Sequence, residues 1–362
     1  MWRSAQRTVY TASANPSVLD VPTAVNALKV GRKDGFPIEL DTSFRGGRVD
    51  FKLTRHAQSI ARIPSIPSPT GPDPYVETPV LAITRHHVND SKQAGVIVAT
   101  MPAFRSDGEP IAKAKAAPEA HDPDPVATIV AFDRSQSLEH AGGTQALGQK
   151  LAVAFCSEKP GNDPYVQWYD LADPANPKPS GRIAIDVGAV ADKDATPLQT
   201  TCVAGTTLQD GSTLVFVYHG SEKTGLAEGW FYLGDAGEIS EKTNWKLAQT
   251  WKRGDGANVG EIWSIYETMS MVADDSGAIY LAAFGQDAQG DYLDLHELVI
   301  TQGKHVWARI ERTWVQTRLE GASFRAGGSL YVDPVTRGLV LYGVEKTTGM
   351  HPDRLWMEEF SA

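Results

Sequence analysis

The sequence predicts an all-β chain: one β-propeller domain over residues 1–362, with five or six four-stranded blades and a ring closed by the N-terminal strand. Three observations carry this reading. First, a similar unit recurs four times between residues 136 and 362, and its turn glycines Gly148, Gly211, Gly277 and Gly338 lie 63, 66 and 61 residues apart. That spacing holds four short strands with loops, and exceeds the roughly 40–50 residues of compact propeller repeats. Second, the strand beside each of these turns is an unbroken apolar run (151–155, 214–218, 279–284 and 339–342). A strand apolar on both faces must be covered on both, which stacked blades achieve. Third, the amphipathic helices of about 10–15 residues that a parallel α/β sheet requires are missing between the strands.

The elements follow in order. Residues 7–12 have the length and alternation to complete the last blade, whose own repeat stops after three strands; without a fourth, the ring would leave an exposed edge. Residues 47–53, 80–85, 95–100 and 127–132 read as strands of one or two divergent N-terminal blades within 1–135. The stretch 104–124, rich in Lys, Ala, Asp and Pro, reads as an exposed insertion, and 64–74 as irregular. The first clear repeat comprises 140–143, 151–155, 166–169 and 182–185; the second 200–203, 214–218, 229–233 and 246–251. The third comprises 266–272, 279–284, 293–298 and 306–310, and the fourth 323–328, 338–342 and 355–360. Asp274-Asp275-Ser276-Gly277 is too short for a 12-residue calcium loop and reads as a β-turn with Gly277 at positive φ.

Composition narrows the function classes. With 34 Lys+Arg against 44 Asp+Glu, the net charge of -10 argues against a nucleic-acid partner, whose phosphates require clustered cations. Two cysteines, Cys156 and Cys202, are too few for a disulfide scaffold or a four-thiolate zinc site. They read as small buried side chains, or as one bridge in an oxidising compartment. No apolar run approaches the ~20 residues of a membrane span, and the first seven residues show no signal-peptide core. Nucleophile elbows, P-loops and dinucleotide fingerprints are missing, which lowers the standing of esterase, NTPase and dinucleotide chemistry. No cofactor is expected. The Arg85-His86-His87 pair points to opposite faces of a strand and cannot chelate one metal. His296 reads as a blade-face residue.

Residues 263–272, 278–281, 291–298, 323–334 and 338–345 together resemble uncharacterised secreted β-propeller proteins common in actinobacteria. The resemblance covers roughly the last hundred residues and implies the fold and secretion, but no activity. Ala61-Arg62-Ile63-Pro64-Ser65-Ile66 is similar to the Arg-Ile-Pro motif of sialidases, in which the arginine binds a substrate carboxylate through its guanidinium fork. The aspartate boxes that accompany that motif in sialidases are missing here. What this resemblance implies for Arg62 is a ligand-binding role.

Propellers commonly bind ligands where their innermost strands begin. In this register the funnel residues are Glu77, His140, Thr200, Tyr266 with Glu267, and Ser323 with Arg325. Carboxylates, an imidazole, a phenol and a guanidinium meeting from different blades suit a polar ligand such as a sugar, and also acid–base chemistry. They are equally consistent with solvated strand ends. Three functions follow. The first is a secreted or surface protein binding a carbohydrate or other polar ligand through Arg325, Tyr266, Thr200, Ser323 and Arg62. The second is a carbohydrate-active hydrolase or lyase with Glu77, Glu267 and His140 as catalytic groups, its carboxyls about 5–10 Å apart. The third is a module that docks a protein through its rim loops.

Overall fold

The computed structural model describes residues 18, 20–30, 39–41, 57–63, 80–85, 94–100, 126–134, 140–156, 163–185, 201–220, 227–252, 266–301, 303–315, 322–333, 337–345 and 357–361. A short helix α1 (Val21–Ala27) comes first, followed by strands β1 (Lys29–Val30) and β2 (Glu39–Asp41). Four consecutive strands then form each of the first four blades. Blade one is β3 (Ala57–Ile63), β4 (Val80–Arg85), β5 (Gly95–Thr100) and β6 (Val126–Arg134); blade two is β7 (His140–Leu147), β8 (Lys150–Cys156), β9 (Tyr165–Asp170) and β10 (Lys178–Ala184). Blade three is β11 (Thr201–Thr207), β12 (Thr213–Gly220), β13 (Ala227–Gly234) and β14 (Trp245–Lys252). Blade four is β15 (Thr268–Ala273), β16 (Ile279–Asp287), β17 (Gly290–Thr301) and β18 (Lys304–Val315). Blade five supplies β19 (Ala322–Val332), β20 (Leu339–Glu345) and β21 (Met357–Ser361). The innermost strands neighbour one another in the closed order β3, β7, β11, β15, β19 and back to β3. The protein is a five-bladed β-propeller.

The four C-terminal repeats fold as the sequence predicts. β12 shows why their second strands are apolar throughout: all eight of its residues are buried. Val215 and Val217 pack with Ala152, Ala154, Val166 and Trp168 of blade two. Leu214, Phe216 and Tyr218 pack with Met269, Met271, Leu281 and Trp307 of blade four. Each fully buried large side chain contributes about 1.5–3 kcal/mol, so a blade is held from both sides. Gly148, Gly211 and Gly277 adopt φ of 56°, 82° and 78°, whereas the fourth turn carries its left-handed residue at Arg337 (φ 58°) instead of a glycine.

The first blade and the closure were harder to place from sequence. β3 lies at 57–63, inside a stretch of small and polar residues with no apolar run; the strand expected at 47–53 lies outside the described residues. The last blade is completed by β1, with Lys29 opposite Ser361 and Val30 opposite Phe360. Residues 7–12, expected in that role, lie outside the described residues, as do 64–74 and the insertion 104–124. Beyond β1 the chain crosses to blade one, where β2 runs parallel to β6 as a fifth strand. α1 is capped by the Asp20 carboxylate, which accepts from the Thr23 N–H at 2.8 Å. Its Val21 and Val25 pack with Val272, Tyr280 and Leu339 of blades four and five. The N-terminal segment thus clasps the ring at its seam. Cys156 and Cys202 are both buried and are not joined in a disulfide, and no described helix is long and apolar enough to cross a membrane.

Candidate functional site: the axial mouth

The inner strands all begin at one end of the axis, and below that end the centre is closed. Gln145 of β7 seals it. Its Oε1 accepts from the N–H of Gly205 on β11 and of Met271 on β15, each at 2.9 Å. Its Nε2 donates to the Met271 carbonyl at 2.7 Å. Blades two and four are not adjacent, so this side chain spans the axis. Neighbouring inner strands are tied in the same way. Ser59 Oγ accepts from the Thr144 N–H (3.1 Å), Thr268 Oγ1 from Gly328 (2.9 Å) and Ser270 Oγ from Leu330 (3.0 Å). Side chains here replace the water that would otherwise satisfy inner-strand backbone groups.

Nearer the mouth, the backbones themselves close the gap. β7 bulges between Ala141 and Thr144. At Gly143 an added Cβ would sit 2.5 Å from the Cys202 Cβ and 3.2 Å from the Glu267 carbonyl. Gly143→Ala is therefore expected to cost about 3 kcal/mol through overpacking against backbone, read as a lower urea midpoint. A loss within about 0.5 kcal/mol, the range of an ordinary surface change, would contradict the tight floor.

Above this floor stand four of the sequence-predicted residues. His140 is the first residue of β7 and is buried. Glu267, partly exposed, immediately precedes β15. Its charge, after burial itself, helps push the Cys202 thiol well above the ordinary range. Ser323 and Arg325 lie near the start of β19, where the register jumps from Ser323–Val344 to Gly328–Gly343. The intervening residues 324–327 form an extended bulge that carries the Arg325 backbone at the axis. Ser323 Oγ donates to Asp291 Oδ1 at 3.2 Å, and the Phe324 N–H donates to the same oxygen at 2.9 Å. The Phe324 ring is wedged edge-on between Phe284 and Phe360, each centroid 5.8 Å away. The Gly327-Gly328 pair is the sequence signal of this bulge.

The other candidates sit elsewhere. Glu77 and Thr200 lie outside the described residues; Thr201, next to Thr200, begins β11. Arg62 is near the far end of β3, in the seam between blades one and five. Its Nη1 donates to the Tyr342 hydroxyl at 2.9 Å, and its guanidinium lies 4.3 Å from the Tyr331 ring centroid. Tyr266 is fully buried in the seam between blades three and four, where its hydroxyl donates to Asp294 Oδ2 at 2.6 Å. Burial, then the Asp294 charge, holds this phenol's pKa well above its ordinary value.

That seam contains an ionic network which the sequence reading did not find. Arg312 grips Asp294 with two hydrogen bonds, Nε to Oδ1 and Nη2 to Oδ2, both 2.7 Å. Arg309 approaches Oδ1 at 3.3 Å. The Arg312 guanidinium also lies 3.7 Å above the Tyr292 ring. The hydrogen bonds to Asp294 hold the Arg312 pKa above its usual range. His296, on the same face, has its pKa pushed down to about 4, chiefly by burial. The visible signal was an aspartate and a histidine two residues apart, alternating with the leucines of one strand. Among the described residues, no three His, Cys, Asp or Glu side chains converge closely enough to hold a metal ion.

No family model matches the sequence, and no curated protein matches it. Some solved structures are similar to it. A thermostable family-43 glycoside hydrolase is 8% identical, with a TM-score of 0.42 over 84% of this chain and 89% of that one. The GH43 β-xylosidase/α-arabinofuranosidase CoXyl43 from a compost microbial metagenome, solved with xylotriose, is 10% identical, with a TM-score of 0.44 over 90% and 94%. The parainfluenza virus 5 hemagglutinin-neuraminidase, solved with the ligand DANA, is 7% identical, with a TM-score of 0.45 over 93% and 81%. At such identities and scores the function of this chain has to be argued from its own residues.

Proposed function

We propose that the protein binds a carbohydrate or other small polar ligand at the axial mouth of its propeller. One observation supports this most: different blades bring His140, Glu267, Ser323 and the Arg325-bearing bulge to one end of an axis whose floor is closed by Gly143 and Gln145. An axis closed below and lined with polar groups at one end fits a ligand that enters and leaves by the same side. Imidazole, carboxylate and hydroxyl groups match the mixed donors and acceptors of a sugar.

The second reading, a carbohydrate-active hydrolase or lyase, accords with the carbohydrate enzymes among the structures of similar arrangement. One residue favours it: Glu267 is a partly exposed carboxylate just before β15, suited to act as the acid or base, with Glu77 as the partner expected from the sequence. Arg325 would hold an acidic sugar in either reading. Secretion accompanies both, as does a rim-loop protein contact.

A glycan array probed with wild type, Glu267→Gln and Arg325→Ala tests the proposal. Each substitution is expected to weaken retention about tenfold or more, since a hydrogen bond to a charged group contributes roughly 1.5–3 kcal/mol. Unchanged retention in both variants would remove the mouth from consideration. Incubating the retained glycan with wild type separates the two readings: new reducing ends or unsaturated products, lost in Glu267→Gln, mark the enzyme.

A further inference from the structure

The seam between blades two and three is dry along most of its length: Val203, Val215, Val217 and Trp230 of blade three meet Ala152, Ala154, Val166 and Trp168 of blade two. Its mouth end is different. Side chains alternate along a strand, so residues two positions on share a face. One step toward the mouth from Val203, Val217 and Trp230 stand Thr201, His219 and Glu228, which are directly opposite one another in register. On blade two, the residue two beyond Ala154 is Cys156, and His140 stands opposite it. Directly opposed residues have Cβ atoms about 4.5–5.5 Å apart. Two imidazoles, a carboxylate, a hydroxyl and a thiol therefore cap one otherwise apolar seam.

All are buried: Thr201 0%, Cys156 0%, His219 4%, Glu228 5% and His140 7% exposed. Polar groups in such positions cost stability unless satisfied. The seam between blades three and four is also polar, but there the aspartate, the two arginines and the phenol satisfy each other. In the seam between blades two and three, by contrast, the Thr201 hydroxyl has no hydrogen-bond partner among the described residues. Thr201 begins β11, and its carbonyl lies beside Gly142 of β7, two residues from His140.

We propose that the mouth extends into this seam as a second binding subsite, in which Thr201, His140, His219 and Glu228 hydrogen-bond a neutral, hydroxyl-bearing portion of the ligand. The inference rests on the mouth reading and deepens it. The chemistry selects the class. The carboxylate disfavours phosphates and carboxylates, no three His, Cys, Asp or Glu side chains among the described residues converge on a metal ion, and neutral hydroxyls both donate and accept, as imidazoles and a threonine hydroxyl do. Arg325 at the bulge and this neutral seam would then grip different parts of one saccharide.

The experiment uses an array of neutral and acidic glycans with wild type, Thr201→Val, His219→Gln, Glu228→Gln and Arg325→Ala. Thr201→Val is the discriminating variant. It keeps the shape and removes a buried hydroxyl that has no described partner, so the thermal midpoint stays at or above that of wild type. It should nonetheless lose about tenfold in retention of glycans with neutral residues, one hydrogen bond's worth. His219→Gln or Glu228→Gln should lose at least as much, with circular dichroism confirming the fold. If wild type and Arg325→Ala differ while Thr201→Val, His219→Gln and Glu228→Gln all match wild type, the subsite is wrong and the mouth reading survives. If wild type retains no glycan, both fall together.

Discussion

Replacing Asp294 with alanine is expected to destabilise the propeller by about 4 kcal/mol, because removing one partner of a buried ion pair leaves the other charges uncompensated. The Asp294 side chain is fully buried, while Arg309 and Arg312 are 20% and 18% exposed. In the variant two guanidinium groups would face each other in the seam with no anion between them, and the Tyr266 hydroxyl would lose its acceptor at 2.6 Å. Urea denaturation of Asp294→Ala and Asp294→Asn gives the measurement. Asparagine keeps an acceptor oxygen but not the charge, so it should fall between alanine and wild type. A loss below about 1 kcal/mol in the alanine variant, the scale of a surface pair, would show that the network is not holding blades three and four together. Because Tyr266 precedes Glu267, the same variant should also disturb the mouth.

The second large effect is acid destabilisation through His296. Its folded pKa of about 4 lies below its ordinary value of 6.5, chiefly because burial penalises the cation. The groups around it are Asp294, whose charge favours protonation, and Arg309 and Arg312, which oppose it. The Tyr266 ring stands edge-on, 6.4 Å away. Depression means that the unfolded chain binds the proton more readily than the folded one. The contribution is therefore complete above pH 6.5 and is lost as pH falls toward about 4. Integrated over that window it amounts to about 3 kcal/mol. Urea midpoints measured across the window should decline in wild type and flatten in His296→Gln. Equal slopes in the two proteins would contradict the assignment.

The ring was legible because its strongest determinant is local. A strand covered on both faces shows as an uninterrupted apolar run, which marked blades two to five, and in blades two to four the positive-φ turn also shows as a glycine. Blade one did not, since β3 lies against the axis and is built from Ala57, Ser59 and Ala61, whose small size suits close approach but leaves no hydrophobic period. The closing strand β1 is two residues long, below any detectable periodicity. The positions of His140, Glu267, Ser323 and Arg325 near the starts of inner strands were legible because each falls near the start of a repeat. Tyr266 was misleading for a simple reason: adjacent residues in extended chain point in different directions, and this phenol enters the seam beside Asp294. Asp294 itself, and the Gln145 plug, depend on partners 18 and 126 residues away in sequence, which no local pattern reveals.

The most direct test is a crystal structure of the protein with a saccharide retained on the array. Density at the mouth, touching Glu267 and the bulge of β19 above the Gly143 floor, is the expected result. A sugar seated instead on the outer strands, near exposed Trp314 for example, or below the Gln145 seal, would contradict the assignment of the axial mouth as the binding site.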